Sequence, residues 1–319
     1  MNEDLHLQSL RFEPLDSKNI KNVHDMCEAN VDFVSNSLKT FENATLNSKY
    51  FIPEFSMVAL NENNDIIAFF MVVIKNPYVF NKWRNIATLK FFVVKKKWRI
   101  KGVGTHIYNE LVKRVKNSRY NCYRMKFDVM FAAPDYWYPG LDLRHTEAFF
   151  FLKKHGFKRK HERINLCVDL DKIKNIELPS KFNGYNISRI IDDDKNELVP
   201  LSFMPKIYQK WVWPKEVASS FQNEPKSTFI ARDAKNDKIM GFATHSVGFP
   251  GAFGPTGVNK KIRGLGLGTI LLNWCLWDIK QMGIKQCIIR YVRENTANFY
   301  LKSVGAKICE IYWNIERRI

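Results

Sequence analysis

A seven-residue turn that occurs twice limits what this chain can become more than any other feature. Arg263-Gly264-Leu265-Gly266-Leu267-Gly268-Thr269 lies between an apolar run and a long apolar helical segment. Arg99-Ile100-Lys101-Gly102-Val103-Gly104-Thr105 repeats its pattern, Arg-x-x-Gly-x-Gly-Thr. Val94, Arg99, Gly102 and Gly104 match Val258, Arg263, Gly266 and Gly268 at one constant offset of 164 residues. Glycine tolerates backbone geometries that clash for other residues and lets a ligand approach the main chain closely. A turn that opens a helix also aims unsatisfied N–H groups, and the positive end of the helix dipole, at one spot that suits a phosphate or pyrophosphate. A single copy reads equally well as a tight turn chosen for packing. Two copies with the same flanks and order read as an internal repeat of one domain type.

The 319 residues allow two ordinary domains, each with its own core, and 45% hydrophobic with 14% aromatic content predicts a folded globular chain. No run of about 18 uncharged apolar residues exists, so no membrane-spanning helix and no membrane partner are expected. The start, Met1-Asn2-Glu3-Asp4, carries no apolar signal block, which makes the cytoplasm the expected compartment. Cys27, Cys122, Cys167, Cys275, Cys287 and Cys309 form no C-x-x-C pair, so neither a metal site nor a disulfide framework is expected. The net charge of +18 favours polyanionic partners such as coenzyme A, nucleic acid or anionic polymers. Most of that charge reads as a solvated surface. The cluster Lys95-Lys96-Lys97-Trp98-Arg99-Ile100-Lys101 differs because it sits on the first glycine turn.

Taken in order, Leu7 to Phe12 reads as a strand and Asp16 or Ser17 caps a helix toward Asn30. Met57–Leu60 and Ile66–Ile74 form a hairpin, and Ile86–Val94 is a strand feeding the first turn. Ile107, Leu111 and Val115 stripe the helix that follows, and Tyr123–Phe131 is a strand bearing Asp128. An aromatic loop around Tyr136, Trp137 and Tyr138 comes next. Gly156 and Gly305 are offset by only 149 residues, so the first half carries about fifteen extra residues here. Leu170–Asn183 reads as a linker, and Tyr185 restarts the pattern. Trp211-Val212-Trp213-Pro214 ends a helical region, and Thr228–Arg232 pairs with Lys238–Val247. Gly248–Gly257 is a Gly/Pro-rich approach to Val258, Thr269–Met282 is a buried helix, and Gln286–Val292 is the last long strand. The pattern by itself supports a mixed α/β or α+β fold.

Val-x(5)-Arg-x-x-Gly-x-Gly at a strand-to-helix junction resembles the acetyl-CoA pyrophosphate loop of the GNAT (Gcn5-related) N-acetyltransferases. Asn298-Phe299-Tyr300-Leu301-Lys302-Ser303-Val304-Gly305-Ala306 and Phe149 to Phe157 are similar to that family's later helix-and-glycine element. The resemblance implies two tandem GNAT-like domains, 1–172 and 184–319, each a mixed, mostly antiparallel sheet flanked by helices. It implies acetyl-CoA as co-substrate, no metal, and a primary amine of a small molecule or peptide as acceptor. Val94 and Val258 are then expected to bind the pantetheine arm through the backbone. The pyrophosphate is expected on Arg99, Lys101, Gly102, Val103, Gly104 and Thr105, and on Arg263, Gly264, Leu265, Gly266, Leu267, Gly268 and Thr269.

Acetyl transfer from a thioester needs a neutral amine, a stabilised carbonyl oxygen and a donor for the leaving thiolate. The resemblance implies Tyr300 as that donor, although one extra residue separates it from Gly305. A core aromatic is the competing reading. The first half offers Phe151 or Leu152 at the same place, and neither donates a proton, so the second domain is expected to be the catalytic one. Tyr136 or Tyr138 from the inserted loop is a possible substitute. Glu294, His245 and Asp128 are the candidate general bases, and Trp211, Trp213, Phe249 and Phe253 the candidate acceptor walls. The competing function is a non-catalytic coenzyme A-binding or basic nucleic-acid-binding regulatory module, although no helix-turn-helix, zinc or RNP-type motif supports direct readout.

Overall fold

The computed structural model describes residues 7–33, 36–76, 78–79, 82–83, 85–127, 135, 140–173, 176–200 and 213–319. The strands and helices open with β1 (Arg11–Pro14), α1 (Ile20–Asn30), α2 (Leu38–Ala44), β2 (Ser56–Leu60) and β3 (Ile66–Lys75). Then follow β4 (Tyr78–Val79), β5 (Lys82–Trp83), β6 (Ile86–Val94), α3 (Val103–Lys116), β7 (Arg124–Phe127), β8 (Leu141–Asp142), α4 (Thr146–Lys154) and β9 (Lys158–Asp169). The rest comprises β10 (Lys181–Phe182), β11 (Tyr185–Arg189), α5 (Lys195–Leu198), α6 (Trp213–Ser220), β12 (Thr228–Asp233), β13 (Ile239–His245) and β14 (Ala252–Val258). It closes with α7 (Leu267–Gln281), β15 (Gln286–Val292), α8 (Glu294–Val304) and β16 (Lys307–Arg318).

These elements pack into two units. Of the described residues, those up to Glu162 and Tyr312–Ile319 fall in the first, and those from Arg163 to Ile311 in the second. The last eight residues of the chain belong to the first unit.

In the first unit β1, β2, β3 and β6 run antiparallel in that order, and β6 then meets β7 in parallel. The sheet is continued by the end of β16, where Ile315 to Arg318 lie antiparallel to Phe127 to Arg124. Helix α3 covers the sheet with Val103, Ile107, Tyr108, Leu111 and Val115, all buried, so the stripe read from sequence is the face that packs. Burying one such leucine is worth roughly 2 kcal/mol, and truncating it to alanine would cost roughly 2–5 kcal/mol with the cavity included.

In the second unit β11, β12, β13 and β14 are antiparallel neighbours, and β14 meets β15 in parallel. Ile164–Asp169 of β9 then lies antiparallel to β15. Helix α7 is buried at Leu267, Ile270, Leu271, Leu272, Cys275, Leu276 and Ile279, as its all-round apolar character predicts. Gly283 stops it at a φ of 76°.

Leu7 to Phe12, expected as a strand, is a 3₁₀ turn at Leu7–Ser9 followed by the strand Arg11–Pro14. The Gly/Pro-rich approach Gly248–Gly257 contains the strand Ala252–Val258, held extended between β13 and β15. Trp213-Pro214 lies at the described start of helix Trp213–Ser220, and the helical region expected before it lies outside the described residues. All six cysteines are free, and Cys27, Cys275 and Cys287 are buried.

Candidate functional site

The site in the first unit arises where two parallel strands part. Among the described residues, which on this strand end at Phe127, β7 registers with β6 only at Ala87–Met125 and Thr88–Lys126, while β6 continues six residues farther to Val94. The chain then makes a single 3₁₀ turn, Lys96–Trp98, and enters α3 through Gly102, whose φ of 84° demands glycine. Trp98 is buried beneath this turn, with the ammonium groups of Lys97 and Lys101 each 5.1 Å from its ring centroid. The basic cluster is thereby anchored at the turn.

A cavity of about 560 Å³ opens at the parting, within the range that holds small-molecule ligands. Lys90, Phe92 and Val94 of β6, Phe127 of β7, and Phe150 and Phe151 of α4 form much of its wall. Arg99, Ile100, Gly102, Gly104 and Thr105 bring the glycine turn to its rim. A Cβ on Gly104 would stand 3.3 Å from the Phe151 ring and 3.6 Å from Val94, so turn, strand and α4 converge with no room to spare. Lys101 is exposed, and Val103 is a core residue under the turn.

Arg99 is fixed rather than loose. Its Nε donates to the Val94 carbonyl at 3.0 Å, a terminal nitrogen donates to the Asn30 carbonyl, and Glu147 lies 3.7 Å away. Ile100 is 94% exposed at a φ of 62°, an expensive conformation for a β-branched residue. Strain concentrated on the rim of a cavity is a common mark of a binding turn.

Lys90 was not singled out from sequence. Met71 faces Phe91 and Val72 faces Leu89, so Lys90 is the extra residue of a β-bulge. Its side chain is 1% exposed and ion-paired with Asp135, which also accepts a hydrogen bond from Ser48 Oγ at 2.8 Å. Burial lowers the Lys90 ammonium to a pKa of about 8, with Asp135 opposing the shift. Burial likewise pushes the Asp135 carboxyl up, and Lys90 and Ser48 hold it down. The signal available in the sequence was one charge inside the apolar strand Ile86–Val94, since a buried ion is expensive unless paired.

The second unit repeats the backbone of the turn. Gly266 has a φ of 83°, Gly264 takes the place of Ile100 at 87°, and Arg263 Nε donates to the Val258 carbonyl at 3.2 Å. β14 and β15 register only at Ala252–Ile288 and Phe253–Ile289, so the strands part here too. Leu265 is exposed, and its carbonyl accepts from Asn183 at 3.3 Å; Leu267 is buried, and Thr269 Oγ1 lies 3.0 Å from Ser303 Oγ. The Phe182 ring stands 3.3 Å from where a Cβ on Gly266 would be.

Beyond the turn the second unit differs. Two residues past the first registered pair stands Phe127 in the first unit and Arg290 in the second. Arg290 is 4% exposed and lies 3.5 Å from buried Glu216, whose carboxyl is pushed up to about 7 by burial, with Arg290 opposing.

Tyr300 and Glu294 do not share a site environment. Tyr300 is 8% exposed, with ring centroids of Phe253 and Phe299 at 6.0 and 5.0 Å, and burial raises its phenol above the ordinary range. Phe299 touches the Gly268 position as Phe151 touches Gly104, which matches Tyr300 to the fully buried Leu152. Glu294 is the exposed first residue of α8. His245 is buried, its Nε2 2.9 Å from Asp278, which also receives both terminal nitrogens of Arg189 at 2.6 Å. Burial raises the Asp278 pKa, but the Arg189 and His245 hydrogen bonds outweigh it and hold the carboxyl at about 2. Among the candidate acceptor walls, Phe253 is buried, Trp213 packs on the core around Phe242, and Phe249 lies under Arg290. Asp128, Tyr136, Tyr138 and Trp211 lie outside the described residues.

A family model described as acetyltransferase (GNAT) family matches residues 24–133 and 191–306, once on each copy of the glycine turn. The chain belongs to the GNAT acetyltransferase family. As a GNAT protein it is an acyltransferase that uses acyl-CoA, built from two GNAT domains. No curated protein sequence matches it. Among solved structures it is similar to a GCN5-related glucosamine N-acetyltransferase region of a fungal multi-domain GH3 β-N-acetylglucosaminidase, at 17% identity and a TM-score of 0.70. That match covers 97% of this chain and 38% of the fungal one. A tandem GNAT protein from the clavulanic acid biosynthesis pathway gives 16% identity and a TM-score of 0.69 over 97% of this chain and 98% of that one. A GCN5-related N-acetyltransferase from Sphaerobacter thermophilus gives 13% and 0.66 over 97% and 96%. At such identities the likeness is one of fold. No helix among the described residues is long and apolar enough to cross a membrane, and no group of metal-ligating side chains occurs among them.

Proposed function

We propose that the protein moves an acetyl group from acetyl-CoA onto a primary amine of a small molecule or peptide, and that the first unit performs the chemistry. The cavity at the parting of β6 and β7 carries this reading, because it joins a glycine turn at a helix N-terminus to an aromatic-walled chamber with a buried lysine. The N–H groups of the turn and the first-turn dipole of α3 suit the diphosphate, and the edge of β6 left without β7 suits the pantetheine amides. Phe92, Phe127 and Phe151 exclude water from the thioester, which strengthens every polar contact made there. This choice reverses the expectation that the second domain is the catalytic one. In the second unit the place of Phe127 is taken by the Arg290–Glu216 pair, and Tyr300 serves the core. The turn of residues 263–269 has the same backbone and is proposed as a secondary coenzyme locus. The stretches 1–172 and 184–319 are proposed as the two copies of the ancestral repeat.

Glucosamine, the acceptor in the name of the fungal relative, belongs in the first acceptor panel beside a polyamine and a peptide α-amine. Six unpaired cysteines fit a reducing compartment, and the cytoplasm is the proposed one. The test is a thermal shift with acetyl-CoA on the wild type and on Gly102→Glu and Gly266→Glu. The added carboxylate repels a diphosphate at each turn separately. Loss of stabilisation in Gly102→Glu is expected. Loss in Gly266→Glu alone would return the chemistry to the second unit.

A further inference from the structure

Lys90 sits where the first unit's chemistry must happen. The glycine turn fixes one end of the donor, and β6 leads away from that turn toward the point where β7 departs. Lys90 lies four residues back from Val94, about 13 Å along an extended strand, and two residues past Thr88, the last to pair with the described part of β7. As the extra residue of the bulge Lys90 is among the residues lining the cavity, and its side chain is 1% exposed. Asp135 and Ser48 hold it from behind.

We infer that Lys90 protonates the coenzyme A thiolate as it departs, with Asp135 as its positioning residue. The inference rests on the proposal that this cavity takes acyl-CoA. The acceptor nitrogen forms a bond to the thioester carbonyl carbon. As the intermediate collapses, the C–S bond breaks and its electron pair stays on sulfur. A proton moves from Lys90 Nζ to that sulfur, leaving a neutral amine hydrogen-bonded to Asp135. The surplus proton on the acceptor nitrogen then passes to Lys90 and restores the ion pair. Lysine ends as it began. The products are the amide, the free thiol and the one proton that the acceptor ammonium gave up before attack.

Other donors on the cavity wall fit less well. A threonine hydroxyl such as Thr105 or Thr146 is too weak an acid, and His145 is pushed down by burial, which leaves it neutral near pH 7. A phenol, which Tyr312 would offer, is ordinarily a weaker acid than a thiol, so full transfer to the thiolate runs uphill. At about 8, Lys90 is matched to the thiol. The charged groups that bear on it are Asp135, Lys75 through Asp135, and Asp142, His145 and Glu147 across the cavity.

The experiment follows thiol release from acetyl-CoA with the best amine of the panel, for wild type, Lys90→Arg, Lys90→Met, Asp135→Asn and Tyr312→Phe. Folding and coenzyme binding are read separately by thermal shift with desulfo-coenzyme A. Lys90→Arg keeps the charge but cannot release its proton. Both Lys90 variants are expected to retain stabilisation by desulfo-coenzyme A and to lose about 10²–10⁴-fold in kcat. With acetyl 4-nitrothiophenol, whose thiolate leaves without protonation, the loss should shrink below about 10-fold, an outcome that a packing role would not produce. Wild-type kcat should fall above pH 8, and Asp135→Asn should move that fall to lower pH by removing the carboxylate that favours the charged lysine. Equal losses with both donors, a kcat that instead rises through pH 8, or leaving-group dependence appearing in Tyr312→Phe rather than at Lys90 would each overturn the inference. A wild type that desulfo-coenzyme A does not stabilise would overturn the cavity assignment beneath it as well.

Discussion

Replacing Gly102 by alanine separates backbone strain from ligand binding, because Gly156 supplies a matched control. Gly102 has a φ of +84°, and a Cβ there would lie 3.1 Å from Leu7 Cδ1. Gly156 has a φ of +78° with nothing within 4 Å of the added carbon. Holding a non-glycine residue in the left-handed region costs roughly 1–2 kcal/mol at either site. The extra contact at Gly102 meets the end of a flexible side chain and adds little. For a unit of this size each kcal/mol is worth about 2–4 °C, so both variants should lose about 2–8 °C in Tm. Only Gly102→Ala is expected to weaken acetyl-CoA. Disturbing one charge-assisted hydrogen bond of the cradle costs about 1.5–3 kcal/mol, or about 10–150-fold in Kd by calorimetric titration. Equal Kd values for Gly102→Ala, Gly156→Ala and wild type would refute the claim that this turn grips the diphosphate.

Ile100→Gly should raise Tm by a few degrees, since it relieves a left-handed isoleucine that is 94% exposed and the second copy already has Gly264 in that geometry; a lower Tm would contradict the strain. Tyr300→Phe should leave kcat within about threefold and the melting temperature nearly unchanged, because the ring rather than the hydroxyl packs against Phe253 and Phe299; a hundredfold fall in kcat would restore Tyr300 as the thiolate donor. Asp278 has a folded pKa of about 2 against an ordinary 3.8, so its stabilisation is fully present above pH 4 and lost as pH falls through 2. That amounts to about 2 kcal/mol, and acid titration of Asp278→Asn by circular dichroism should lack this part of the slope.

Much of the fold was legible because periodicity and turn chemistry are local. The bounds of Ile86–Val94 and Gln286–Val292 follow from apolar runs closed by polar residues, and the stripe on α3 follows from its 3.6-residue period. The bounds of the Gly/Pro-rich strand Ala252–Val258 were not legible, because its extended form is imposed by strands on either side. Within the site, the two glycine turns were legible because the left-handed backbone they require is marked by neighbouring residues in the sequence. Lys90 was passed over because its importance lies in Asp135 and Ser48, which are brought to it by the fold.

Residue order alone therefore settled the duplicated turn, the helices and strands around each copy, and the family that such a repeat belongs to. All of these depend on neighbours within about ten positions. Tertiary structure decided which residues line the first unit's cavity and which buried charge finds a partner. It also drew the last eight residues into the first unit's sheet. Burial and ion pairing are properties of a place in space, and no local pattern fixes whether Tyr300 or Lys90 occupies it.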